Sequence, residues 1–142
     1  MKSSNADVAW NVPRKQADLW KVVRDRISTL VTELFEAGEG HAIVDIAGTD
    51  LYVQWHGEDD GEFYAEASSG LYGGEPLPVS AQERLAALGW SAPGDGWGGA
   101  DAMNWSRHWT APVEVEEVVE LSVATLRDAF GAPASKLLFP SH

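Results

Sequence analysis

Histidines and acidic side chains are the residues of this sequence best suited to metal binding or acid–base chemistry. The four histidines are His41, His56, His108 and His142, and none is paired at H-x-H or H-E-x-x-H spacing. His41 and His56 fall on adjacent predicted strands, where a solvated histidine is more common than a ligand. Cysteine is absent, which excludes thiol nucleophiles, disulfides and cysteine-ligated metals. The sequence therefore predicts no stoichiometric metal and no cofactor.

The acidic turn from His56 to Glu62 has the clustered carboxylates that calcium prefers. Its spacing is not that of an EF-hand loop, so an ordinary acidic hairpin turn is the favoured interpretation and calcium the minor one. The glycine-rich runs 38–40 and 94–99 are not strand–loop–helix phosphate loops. No G-x-S-x-G serine-hydrolase motif occurs. We therefore expect a protein without catalytic residues.

Aromatic residues offer a candidate binding surface. Trp90, Trp97, Trp105 and Trp109 lie within twenty residues of one another. We expect Trp55 and Trp105 to be core residues. Trp90 and Trp97 lie in a segment rich in glycine and proline, where they either line a groove for an extended apolar peptide or join the core. The predicted partner-binding residues are Tyr52, Gln54, Tyr64, Glu66, Tyr72, Trp90 and Trp97.

The clearest element that could position these side chains is a helix from Pro13 to Ala37. Its apolar residues recur at three- and four-residue steps, which places them on one stripe. Asn11 is a suitable N-cap, Pro13 is tolerated in a first turn, and Gly38 is a suitable C-terminal stop.

Three short β-type runs follow the helix, at His41–Ala47, Leu51–His56 and Glu62–Ser68. Apolar and polar residues alternate along the second and third runs. This period-two pattern predicts an antiparallel meander with one buried face.

The second half of the chain predicts two more helices. Ser80–Glu83 has the pattern of a capping box for a short helix that ends at Gly89. Asn104–Thr110 is a predicted strand, and a last helix runs from about Val113 to Phe130. The tail Lys136–Phe139 either adds an edge strand or packs as coil. The predicted fold class is α+β, an antiparallel sheet of about five strands packed with three helices in the order α-βββ-α-ββ-α.

Length and charge bound the class of protein. The chain has 142 residues and a net charge of −12, so we expect a single domain over 1–142, ordered from about 10 to 139. The acidity disfavours nucleic acid as a partner. Apolar runs are too short to span a bilayer, and no signal-peptide pattern precedes the first helix. We expect a soluble, cytoplasmic protein with no membrane association.

The charge is unevenly distributed. Residues 1–37 hold six bases and five acids, whereas residues 38–142 hold four bases and seventeen acids. From Gly38 through Glu83 there are ten acids and neither Lys nor Arg. Two interpretations stay open, a solvated acidic surface that keeps the protein soluble and an acidic face for a basic partner.

Several short pieces together suggest a family. They are Tyr52–Trp55, Glu66–Ser69, Leu85–Trp90 with Pro93, Asn104–Trp105 and Thr125–Gly131. In these pieces and in its element order the chain resembles the TY-Chap domains, small bacterial proteins related to type III secretion chaperones and to YbjN. The resemblance covers about Trp10 to Phe139. It implies an α+β sandwich of one antiparallel sheet with helices, often dimeric, that binds a partner's peptide and has no catalytic residues.

The favoured function is a non-catalytic, chaperone-like module that binds a protein or peptide. The alternative is an acidic immunity or antitoxin-type protein that blocks a basic partner domain. Exposed sheet edges and the resemblance predict a homodimer, with the bases of the first helix facing the acidic strands of a second copy. If Trp97 contacts the partner, Trp97→Ala should cost about 1 kcal/mol of stability or less, whereas Trp55→Ala should cost about 3–5 kcal/mol.

Overall fold

The computed structural model describes residues 12–58, 61–70, 74–95 and 102–140, with side chains from Asp18 onward. The helices in these ranges are α1 (Val12–Ala37), α2 (Val79–Leu88) and α3 (Val115–Ala124), which a π-helical turn continues over Thr125–Ala129. The strands are β1 (Gly40–Ile46), β2 (Tyr52–Gly57), β3 (Phe63–Ala67), β4 (Trp105–Trp109) and β5 (Leu137–Leu138).

The five strands form one antiparallel sheet in the order β4-β3-β2-β1-β5. The predicted meander is confirmed, with Val44 opposite Val53 and Trp55 opposite Ala65. In the described part of the chain β4 is the strand between α2 and α3. The fifth strand comes from the tail, where Leu138 pairs with Asp45 of β1. The predicted α+β class is therefore confirmed.

The helices cover one face of the sheet and form the core with it. Residues at alternate strand positions are buried, and Trp55 and Phe63 are almost fully enclosed. Ile27 and Val31 of α1 and Val118 of α3 join the same core. Burying a side chain as large as Trp55 contributes about 2–3 kcal/mol or more, so this face supplies much of the stability.

α1 buries the predicted stripe, including Val23, Ile27 and Leu34. The helix ends before Gly38, whose φ of 79° suits the left-handed turn at a helix C-terminus. On its outer side Arg24 forms an ion pair with Glu120 of α3.

The capping box predicted at Ser80–Glu83 is wrong. α2 begins one residue earlier, at Val79, with Pro78 as the N-cap and no side-chain cap. Proline fixes φ near the −56° that this position adopts, and the carbonyl of Pro78 accepts the backbone N–H groups of Ala81 and Gln82. The helix ends at Gly89 as predicted, with φ of 104°.

Two buried tryptophans are tied to the last helix by hydrogen bonds. The indole N–H of Trp55 donates to Ser122 Oγ at 3.0 Å, and that of Trp90 donates to Thr125 Oγ1 at 2.9 Å. Each hydroxyl donates in turn to the carbonyl four residues earlier. The predicted core positions of Trp55 and Trp105 are confirmed.

Candidate functional site

The second face of the sheet is not covered by the three helices, and we call it the open face. Along β1, β2 and β3 its residues alternate with the buried ones and are half-buried or exposed, whereas Ser106 of β4, opposite Glu66, is buried. It comprises His41, Ile43, Asp45, Tyr52, Gln54, His56, Tyr64, Glu66, His108 and Leu138. This face is the largest array of half-exposed aromatic and polar side chains that the sheet presents.

Four ring side chains form a row across the open face, which we call the ring row. The register places His41 opposite His56, His56 opposite Tyr64, and Tyr64 opposite His108. The rings of His41 and His56 lie 4.4 Å apart between centroids. Those of His56 and Tyr64 stack at 4.5 Å with planes 9° apart. At the end of the row His108 Nε2 lies 2.7 Å from Glu62 Oε1.

Partial burial keeps the middle of the ring row uncharged. Desolvation and then the neighbouring His41 lower the pKa of His56 from its usual 6.5, against the opposite effects of Glu66 and Glu58. Desolvation, followed by Glu58 and Glu66, raises the pKa of Tyr64 above its usual 10.0. His56 and Tyr64 are therefore neutral at neutral pH.

A hydrogen-bond network fixes the next row of the open face. Gln54 Nε2 donates to Glu66 Oε1 at 2.9 Å, so its Oε1 is the acceptor for His41 Nε2 at 2.8 Å. Asn104 Nδ2 donates to Glu66 Oε1 at 3.1 Å and to Tyr52 Oη at 2.8 Å. These bonds join β1, β2, β3 and the residue before β4, and so hold the side chains in one arrangement before any partner arrives.

The structure brings four of the predicted partner-binding residues together, because Tyr52, Gln54, Tyr64 and Glu66 all lie on the open face. Tyr72 and Trp97 lie outside the described residues.

Trp90 does not lie on this surface or on a groove. Its side chain is 4% exposed, because its backbone N–H bonds back to Leu85 at the end of α2 and its indole is bonded to Thr125. The interpretation of Trp90 as a partner contact is therefore corrected to that of a core residue.

Sequence reasoning missed five strand residues of the site as partner contacts: His41, Ile43, Asp45, His56 and His108. The alternation along each strand could have identified them, since each occupies a position between two buried residues or on the same side of the strand as the polar ones. Leu138 was missed for another reason. Its place beside Asp45 depends on pairing between the tail and β1, which local sequence does not encode.

The described residues include no group of three or more His, Asp or Glu side chains that could hold a metal ion. Asp59 and Asp60, in the middle of the acidic turn, lie outside the described residues. The helices in the described ranges include none that is long and apolar enough to cross a membrane. The chemistry that the open face offers is recognition by ring contacts, hydrogen bonds and charge.

Comparison with known protein families gives a match over most of the chain. The model of the TY-Chap3 family, described as T3SS (YopN, CesT) and YbjN peptide-binding chaperone 3, matches residues 13–142. No curated protein and no solved structure shows a significant match.

Proposed function

The chain belongs to the TY-Chap3 family of peptide-binding chaperones, and we propose that it is a non-catalytic module whose open face binds a protein or peptide partner. The observation that carries this proposal is the one-sided sheet. Helices cover one face, while the other presents half-exposed aromatic and amide side chains such as Tyr64 and Gln54.

The open face suits recognition because its side chains are already ordered. The stack of His56 on Tyr64 and the bonds of Gln54 and Asn104 to Glu66 hold them in place. The conformational entropy of these side chains is therefore already lost when the chain folds. Less of the binding free energy is then needed to order them when a partner binds. Aromatic rings with a polar edge are also the side chains most enriched where proteins bind peptides.

The absence of cysteine from the sequence makes a direct test simple. A single Gln54→Cys substitution gives a unique thiol at the centre of the open face, and a bulky maleimide placed there should block it. Glu83→Cys, on the exposed side of α2, is the matched control. A random peptide display library is then selected against each labelled protein.

We expect peptides to be enriched on the unmodified chain and on labelled Glu83→Cys, and to be lost from labelled Gln54→Cys. Circular dichroism checks that each protein is folded, and Ile43→Cys replaces Gln54→Cys if loss of the amide network unfolds the chain. Equal enrichment on the two labelled proteins, or enrichment on none, contradicts the proposal.

A further inference from the structure

We infer that the segment bound by the open face is an extended basic peptide whose sheet-facing side chains include both Arg or Lys and apolar residues. The inference rests on the proposed function and adds to it the chemistry of the partner.

Carboxylates flank the ring row on both sides. Glu58 and Glu62 lie beyond one side, joined by the backbone bond from Glu58 N–H to the Glu62 carbonyl at 3.0 Å. Glu66 lies on the other side, opposite Gln54. Both Glu58 and Glu66 act electrostatically on His56 and Tyr64, which places the ring row within their field. Cations are therefore attracted to the centre of this face.

The bases of the strands on this face are histidines, and His108 already lies beside Glu62. None of the strand residues on the open face is Lys or Arg. Arg107 of β4 belongs to the opposite phase of its strand, where its guanidinium lies 5.2 Å from the Trp109 ring centroid. Lys136 precedes β5 and bonds through its carbonyl to Ala47, at the opposite end of β1 from His41. Among the described strand residues, no Lys or Arg therefore offsets the charge of Glu58 and Glu66 along the ring row.

Glu66 retains a hydrogen-bond acceptor for a cationic partner. Gln54 and Asn104 both donate to its Oε1, and no hydrogen bond from the described residues reaches Oε2. Because a carboxylate can accept on both oxygens, Oε2 is positioned for a guanidinium or ammonium group.

An apolar corner distinguishes a peptide from a small cation. Leu138 is 54% exposed and pairs with Asp45 at the edge of the sheet, and the half-buried Ile43 lies one row away on β1. A polyamine or a metal ion would leave these apolar side chains in water, whereas apolar side chains of a peptide would cover them.

The spacing of the rows suits an extended segment. Rows on one sheet face are two residues apart along each strand, which is about 7 Å. Alternate side chains of an extended peptide repeat at the same distance, about 7 Å. Glu58 and Glu66 lie two rows apart, on either side of the ring row. A peptide that lies along the strands can therefore place cationic side chains four residues apart beside them, with apolar ones over the ring row and nearer the corner.

The test uses the random peptide display library selected against the whole chain, and its first readout is the composition of the enriched pool. The second readout is the affinity of the most enriched peptide for two variants of equal charge. Glu58→Gln with Glu66→Gln removes two carboxylates from around the ring row. Glu83→Gln with Glu116→Gln removes two exposed ones from α2 and α3.

We expect Arg and Lys to be enriched at least about twofold over the input library. The affinity should fall about fivefold for the Glu58/Glu66 variant, as for the loss of two exposed ion pairs, and should not change for the Glu83/Glu116 variant. If the Glu66 change lowers the melting temperature, Glu58→Gln and Glu83→Gln are compared as single variants.

The outcomes separate the two claims. If the enriched peptides carry no excess of Arg or Lys but are lost when the labelled Gln54→Cys protein is used, this inference is overturned and the proposed function stands. If the labelled Gln54→Cys protein still enriches the peptides, both this inference and the proposed function are overturned. If no peptide is enriched, both claims are overturned, and binding of lysozyme, a folded basic protein, would then show that the partner is a basic domain rather than an extended segment.

Discussion

At the scale of residues, the open face is held together by contacts among its own side chains. His56 stacks on Tyr64 and contacts the tilted ring of His41, and Glu66 accepts from Gln54 and Asn104. Each of these side chains contacts its neighbours as well as any partner. A change in charge at one position therefore also alters the interactions of the neighbouring side chains.

The pH dependence of stability tests the environment of His56. Its pKa lies below 6.5 in the folded chain and near that value when unfolded, so the unfolded chain takes up the proton first as the pH falls. The stabilisation from neutral His56 is complete above 6.5 and is lost as the pH falls from there toward the folded pKa. His41, Tyr64, Glu58 and Glu66 are the titratable groups that act on it or stack against it.

We expect the melting temperature of the wild type to fall more than that of His56→Gln when the pH is lowered from about 7.5 to about 5. Thermal unfolding followed by circular dichroism at both pH values measures the difference. Equal decreases in the melting temperatures of the two proteins would show that folding does not disfavour the charged form of His56.

The bond between Trp90 and Thr125 allows a double-mutant cycle. Trp90→Phe removes the donor and part of a buried ring, so we expect a loss of about 2–3 kcal/mol in the free energy of unfolding. Thr125→Val removes the acceptor. Urea unfolding of both single variants and the double variant should give a coupling energy of about 1 kcal/mol. Additive losses would contradict the hydrogen bond.

At the scale of elements, local sequence predicts a helix or strand correctly where apolar residues repeat at a regular spacing. It does not predict contacts between segments that are far apart in the chain. The stripe of α1 and the alternation of β2 and β3 gave the correct elements within one or two residues. β5 and the enclosure of Trp90 depend on partners far away in the chain. The start of α2 was misjudged because Ser80 and Glu83 fit a capping box, whereas Pro78 fixed the helix start earlier.

The loop after β3 gives an element-scale prediction. Gly70 has φ of 81°, and a Cβ placed there would lie 2.2 Å from the carbonyl oxygen of Glu75. The loop closes at this point, since Glu75 N–H donates to the Gly70 carbonyl at 3.1 Å. Gly70→Ala should therefore lower the free energy of unfolding by about 2–4 kcal/mol.

The matched control is Gly48→Ala in the turn between β1 and β2. Its φ is 79°, but a Cβ there would meet nothing within 4 Å. It should cost about 1 kcal/mol, the penalty of the left-handed conformation alone. Equal losses in the two variants, measured by urea unfolding, would show that the close approach at Gly70 is not a constraint.

At the scale of the whole molecule, the Lys and Arg residues of the described ranges lie outside the strand positions of the open face. Some bases of α1 are engaged within the chain, since Arg24 pairs with Glu120 and Arg26 lies 4.5 Å over the Phe139 ring centroid. The ring row and its flanking carboxylates form the opposite surface. The sequence shows that residues 38–142 are acidic. That their carboxylates lie around the ring row could be seen only once the strand register was known.

The predicted homodimer belongs to this scale. The sheet has edge strands at β4 and β5, and edge strands are either protected or paired with another chain. We expect light scattering to give about twice the chain mass of 15.4 kDa. A mass of one chain across micromolar concentrations would contradict the dimer, and the open-face proposal would stand without it.

The most direct test of the central claim compares methyl groups on the two sides of one strand. Ile43 faces the open side of β1, and its neighbour Val44 is fully buried beneath the helices. Methyl NMR spectra are recorded as a peptide enriched from the library is titrated into the labelled chain. We expect the signals of Ile43 and Leu138 to shift while those of Val44 and Val53 do not. Shifts confined to Val44, Val53 and the helices, with Ile43 unchanged, would contradict it.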